Sequence, residues 1–162
     1  MMYGELNLKE AYELIKKSAD EGYSDAQTQL AIMLLKGIGI EPDQSLAMDY
    51  LNKAVANNNL TAKAYLASYC LGQKKDLSKG FALAQEASNA GNRAGQYTLA
   101  MAYEKGVGID KNDKKALRLY QLAADQGLQD AKERLAWLKE SLNISQEQYI
   151  ADEYSNESDV NK

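Results

Sequence analysis

One pattern occurs four times along this chain, and that recurrence restricts the fold more than any other feature. Taking Ala11, Ala47, Gly80 and Ala116 as equivalent, the spacings are 36, 33 and 36 residues. Seven and eight positions later stand Ser18-Ala19, Ala54-Val55, Ala87-Ser88 and Ala123-Ala124, all small or nearly so. Eleven positions later come Gly22, Asn58, Gly91 and Gly127, residues that tolerate the left-handed backbone that ends a helix. Four positions before each anchor are Asn7, Asp43, Asp76 and Asn112, each a good helix N-cap, and Asn7 with Glu10 has the spacing of a capping box. Start signal, small-residue face and stop signal therefore recur in register.

A second helix follows each of the first. It carries Ala26, Ala62, Gly95 and Ala131, with Leu30-Ala31, Leu66-Ala67, Leu99-Ala100 and Leu135-Ala136 four residues on. Spacing of four places the small residue and the leucine on one face. Two helices can approach closely over the small residue while the leucine fills the space between them. Such a hairpin cannot bury its apolar face alone and needs stacked neighbours. Composition agrees: one Pro, one Phe and abundant Ala, Leu, Lys and Gln favour helix over strand. The expected helices lie near 8–21, 25–36, 44–57, 61–71, 77–90, 93–105, 113–126 and 129–140.

Residues 26–40, Ala-Gln-Thr-Gln-Leu-Ala-Ile-Met-Leu-Leu-Lys-Gly-Ile-Gly-Ile, and 95–109, Gly-Gln-Tyr-Thr-Leu-Ala-Met-Ala-Tyr-Glu-Lys-Gly-Val-Gly-Ile, resemble Sel-one-like repeats. These are tetratricopeptide-like units with the pattern A-Q-Y-x-L-G-x-x-Y-x-x-G-x-G-V, then D-x-x-K-A and an A-A-x-x-G ending. The resemblance covers about residues 5–140, and the 36-residue period differs from the 34 of tetratricopeptide repeats. It implies an all-α, right-handed α-α superhelix of stacked helix pairs over residues 1–144, about three to four pairs with the first incomplete. Met2-Tyr3-Gly4 resembles the tail of a repeat's first helix, so the chain begins mid-unit. The unit starting at Ser45 departs from the pattern, keeping only Gly72 of the second loop. Gly80 also stands in a helix where Ala is usual, at a cost of about 0.5–1 kcal/mol. Beyond the repeats, Ser145-Gln146-Glu147-Gln148 reads as a capping box. It opens a capping helix over 145–154 whose Tyr149, Ile150 and Tyr154 close the stack, ahead of a disordered acidic tail over 155–162.

Charge and residue types narrow the function. From Gln146 onward five acids face Lys162 alone, so the net charge of −4 belongs to the tail and the body is balanced. No Lys/Arg stripe matches a phosphate backbone, which argues against a nucleic-acid partner. No run approaches the roughly 20 apolar residues of a membrane span. The single cysteine, Cys70, forms no internal disulfide, and the first residues lack a basic segment followed by an apolar run. As written, the chain is expected in the cytoplasm, or exported if a signal and an upstream repeat have been removed.

Candidate chemistry is thin. The chain has no histidine, which removes Ser–His and Cys–His pairs, imidazole metal sites and histidine bases together. Some relatives of the repeat family are linked to β-lactams, yet no Ser-x-x-Lys occurs here. Gly37-Ile38-Gly39 and Gly106-Val107-Gly108 lie between helices, whereas a dinucleotide site places such a turn after a strand. Asp110–Asp113 lacks the Gly and Glu of a calcium loop and reads as helix capping. Cys70 stands where the repeat has a buried aromatic (compare Tyr103) and reads as a core thiol. Asp20/Glu21 and Asp152/Glu153 read as solvated pairs. No catalytic residue, metal or cofactor is expected.

The resemblance implies that the first helices of its units, those that carry the recurrent Leu, line a concave surface. On them, the position two after the recurrent Leu holds Ile32, Ser68, Met101 and Trp137, and the position before it holds Gln29, Tyr65, Thr98 and Arg134. Ile, Tyr, Met, Trp and Arg are side chains suited to interface cores. The row either forms a protein-binding groove or packs between repeats, and Trp137 is its strongest hot-spot candidate. The leading expectation is a non-enzymatic scaffold or adaptor, in a bacterial cell, binding a protein or peptide segment as a monomer or weak homodimer. The alternatives are a dedicated inhibitor, such as an immunity protein for one toxic enzyme, and a hydrolase or cell-wall-fragment binder.

Overall fold

The computed structural model describes the backbone of residues 2–144 and the side chains of residues 7–144. The expected capping helix over 145–154 and the tail over 155–162 lie outside the described residues. Within them the chain forms eight helices and no strand: α1 (Met2–Asp20), α2 (Ser24–Lys36), α3 (Gln44–Ala56), α4 (Leu60–Gly72), α5 (Leu77–Asn89), α6 (Arg93–Lys105), α7 (Asp113–Asp125) and α8 (Gln129–Ser141). Each packs on the next in chain order, and α4 also packs on α6, so the architecture is an all-α solenoid of stacked helix pairs.

Two kinds of joint alternate. The tight turns after α1, α3, α5 and α7 pass through Gly22, Asn58, Gly91 and Gly127, all with positive φ. In each, the residue after the turn donates its N–H to the first of the two small residues: Tyr23 to Ser18, Asn59 to Ala54, Asn92 to Ala87 and Leu128 to Ala123. The small pair therefore both faces the neighbouring helix and satisfies the helix end. The long loops after α2 and α6 also match one another. Asp43 donates to the Leu34 carbonyl at 3.0 Å and Asn112 to that of Tyr103 at 2.9 Å. The side chains of Asp43, Asp76 and Asn112 then cap α3, α5 and α7. Asn59 and Asn92 likewise cap α4 and α6.

Asn7 is a correction. It lies inside α1, which runs unbroken from Met2, so it caps nothing and Met2–Gly4 ends no earlier helix. The loops after α2 and α6 leave the helix through a Gly-x-Gly pair. Residues 2–7 contain only Gly4, and a single interior glycine costs about 1 kcal/mol, which a long helix absorbs.

The short joint after α4 preserves the stacking by a different means. A Cβ at Gly80 would lie 2.9 Å from Cys70 Cβ and 3.0 Å from Leu71 Cγ, so the bare backbone lets α5 close onto α4. At Gly95 a Cβ would meet Ala87 Cβ at 2.5 Å, so α6 sits hard against α5 for the same reason. The propensity penalty at Gly80 is thus offset by contact.

Candidate functional site

Helices α2, α4, α6 and α8 form one layer, tied together by side chains. Asn59, at the start of α4, donates to Asp25 of α2 at 2.7 Å, and Asn92 donates to Thr61 of α4 at 3.1 Å. Arg134 of α8 reaches Glu104 of α6. The eight candidate residues sit on this layer in three environments. Gln29 and Trp137 are exposed, whereas Ile32, Tyr65, Ser68, Met101 and Arg134 are half-buried. Thr98 is buried, and its hydroxyl donates to the Ala64 carbonyl at 3.5 Å, so it holds α6 to α4. Tyr65 packs on the cluster of the first helices and Met101 on that of the later ones.

Arg134 and Trp137 come together. One helical turn separates them, and the guanidinium lies 4.1 Å from the indole centroid, a cation–π stack. The guanidinium grips Glu104 with two bonds, Nε to Oε2 at 2.9 Å and a terminal nitrogen to Oε1. Buried Tyr120 of α7 donates its hydroxyl to the same Oε2 at 2.6 Å. Burial alone would push the Glu104 carboxyl upward, but the Arg134 and Tyr120 bonds outweigh it and hold it below the usual carboxylate range. Burial, then the bond to Glu104, drives the Tyr120 hydroxyl far above its ordinary value. Half of Trp137 remains exposed, at 50%, although its position is fixed from below.

Glu104 is the residue that repeat reasoning passes over. It stands where α2 and α4 have Leu35 and Leu71 and where α8 has the exposed Glu140, so its only sequence signal is a carboxylate in a register that is apolar in two of the three other helices. Asp20 is exposed, as expected of a solvated carboxylate, and it also ties α1 to α3. It accepts from the buried Tyr50 hydroxyl at 2.6 Å and pairs with Lys16, and those two bonds hold its carboxyl below the usual range. Cys70 is buried, and burial pushes its thiol up, as suits a core position. The Gly-x-Gly turns link helices through positive-φ glycines. No helix among the described residues is long and apolar enough to cross a membrane.

The Sel1 repeat family model matches residues 2–23, 24–59, 61–92 and 93–128, and its boundaries fall at the tight turns described above. The chain belongs to the Sel1 repeat family. Among curated members it is 32% identical over 144 residues to chitin synthase regulatory factor 2 of Schizosaccharomyces pombe, covering 82% of this chain and 28% of that protein. It is 34% identical over 122 residues to chitin synthase regulator SKT5 of Saccharomyces cerevisiae, covering 72% and 18%. DAP3-binding cell death enhancer 1 of Rattus norvegicus is 29% identical over 167 residues, covering 79% and 33%. The chain thus spans a third or less of these relatives. Two solved structures share the fold. A protective antigen of uropathogenic Escherichia coli matches with a TM-score of 0.69 and 30% identity, over 84% of this chain and 30% of that one. A Sel1 repeat protein from Oxalobacter formigenes matches with a TM-score of 0.55 and 34% identity, over 75% and 94%.

Proposed function

We propose that this chain is a non-enzymatic protein-interaction module, a scaffold or adaptor that holds a segment of another protein along the layer of α2, α4, α6 and α8. The observation that carries this reading is Trp137, half exposed and fixed by a guanidinium that is itself gripped by a buried carboxylate. An exposed indole is a large apolar surface awaiting cover. One that is already held loses little freedom when a partner covers it, so more of its contact free energy goes into affinity. Tyr65, on α4 of the same layer, extends the row toward the N-terminal end, whereas Thr98 contributes packing and no contact. The named functions of the relatives, regulating chitin synthase and binding DAP3, are protein-directed and accord with this reading.

The test is affinity capture from the native organism with mass spectrometry, comparing the wild type with a folded Tyr65→Ala/Trp137→Ala variant. Loss of one captured protein is expected, as hot-spot truncation costs upwards of about 2 kcal/mol, or about 30-fold in affinity. Equal capture by both proteins would move the binding surface elsewhere.

A further inference from the structure

Two faces of the described array are open where every joint between them is closed. On α1, Ala11 and Ile15 are half-buried and Leu14 is 68% exposed, whereas their equivalents on α3, Ala47, Leu51 and Tyr50, are buried. On α8, Ala136 is exposed, whereas its equivalents Ala31, Ala67 and Ala100 are fully buried. With Ala124, Leu135 and the flanking Lys132 and Lys139 it lines a groove of ≈ 270 Å³ between α7 and α8.

The two faces match in register. Where α5 arrives on α4, its buried residues are Gly80, Leu83, Ala84, Ala87 and Ser88. At those places α1 has Ala11, Leu14, Ile15, Ser18 and Ala19, so it fits against α8 with no charge driven into the contact. The chain's own continuation fits less well. With Ser145 at the place of Asp76, it brings Asp152 and Glu153 to the places of the buried Leu83 and Ala84.

Charge favours the same occupant. Contacts around the α6–α7 joint, carried onto α8 and the α1–α2 pair of another copy, become pairs of opposite charge or an amide facing a carboxylate. Gln126 donates to Gln96 at 2.8 Å, and Glu21 and Lys132 hold those two places. The Lys115 ammonium lies 5.0 Å from the Tyr103 ring centroid, and Glu10 and Lys139 hold those places. Arg134 bonds Glu104, and Gln29 and Glu140 stand in their stead, an amide donor facing a carboxylate. A like-charged meeting also follows, because Lys17 and Lys132 take the places of Glu86 and Lys63.

We propose that the chain associates head to tail with a second copy of itself, α1 of one copy seating on α7 and α8 of the other and continuing the solenoid. The contact is heterologous, so a pair of copies keeps one open face of each kind and association is open-ended. The charged pairs at its rim set the register.

Sedimentation equilibrium of the full chain should show an average mass that rises between micromolar and millimolar concentration. Leu14→Asp blocks one face and Ala136→Arg the other, and both sites are exposed, so helicity should be unchanged. Each variant alone should be monomeric, whereas an equimolar mixture should form a one-to-one dimer through the two faces left intact. Glu21→Lys should weaken association by at least about tenfold, and adding Lys132→Glu to the same chain should restore it. Lys17→Glu, which copies Glu86, should strengthen it. A wild type that stays monomeric throughout overturns the proposal, as does a mixture that fails to dimerise. Association that survives in either single variant overturns it too, because the copies would then be joined by a two-fold contact through one face. Failure of the charge exchange to restore association, or no gain from Lys17→Glu, would refute the register.

Discussion

At Glu104 a single carboxylate joins three helices, because Arg134 of α8 and Tyr120 of α7 both bond to it on α6. Its native value is depressed, so its stabilisation is complete above the ordinary glutamate value of about 4.3 and is lost as pH falls through the lower native value. Glu104→Gln should therefore lower stability at pH 7 by about 2 kcal/mol, the scale of charge-assisted hydrogen bonds. The gap in Tm between the two proteins should narrow as pH is taken from 7 to about 3. Melting curves across that range check this, and a gap independent of pH would show that shape, not charge, is what Glu104 provides. A second residue exposes an imperfection. Gln126 Nε2 donates to the Gly91 carbonyl at 3.0 Å and to Gln96 Oε1 at 2.8 Å. One double repeat earlier the equivalents are Asn57, Gly22 and Gln27. Asparagine is one methylene shorter, and Gln27 Oε1 is buried without a partner among the described residues. Asn57→Gln should complete that bond and raise stability by about 1 kcal/mol, a few degrees in Tm. Gln126→Asn should lose a similar amount, and no change in either would dismiss the equivalence.

Helix boundaries are legible in this sequence because the same caps punctuate it repeatedly. Asp43, Asp76 and Asn112 start helices, and Gly22, Asn58, Gly91 and Gly127 end them, each by satisfying backbone groups that a helix end leaves open. Asn7 misleads because a cap residue is only a permission to start. Nothing before it breaks the helix, so α1 extends back to Met2. Gly80 illustrates a different limit. Its low helix propensity is local and readable, but the approach of Cys70 and Leu71 that requires it depends on the packed neighbour. The candidate face divides in the same way. The exposure of Trp137 follows from its register on α8. The burial of Thr98 and the use of Arg134 as an anchor for Trp137 depend on which helix lies alongside, and an i, i+3 pattern does not encode that.

Among the described residues most of the buried apolar side chains fall into two groups. One runs from Ala19 to Ala62 and includes Leu30, Leu34 and Leu51; the other runs from Leu66 to Leu138 and includes Leu99 and Tyr120. The boundary passes through α4, and Met48 and Val55 touch both sides. In a linear array each unit is stabilised by its neighbours alone, so a defect should spread no further than coupling at that boundary carries it. Leu51 is fully buried in the first group, and Leu51→Ala should cost about 3 kcal/mol through lost transfer free energy and the cavity left behind. Native-state hydrogen exchange should register that loss in α1–α3, while α6 and α7 retain most of their protection. An equal loss over all eight helices would mean that α4 couples the two groups into one cooperative unit. The distinction bears on the binding face, because Tyr65 packs on the first group and Trp137 stands on α8, whose Leu135 and Leu138 belong to the second. If the groups open separately, a partner bridging both residues must hold them in one frame, and its binding should restore protection to α1–α3 in the Leu51→Ala protein.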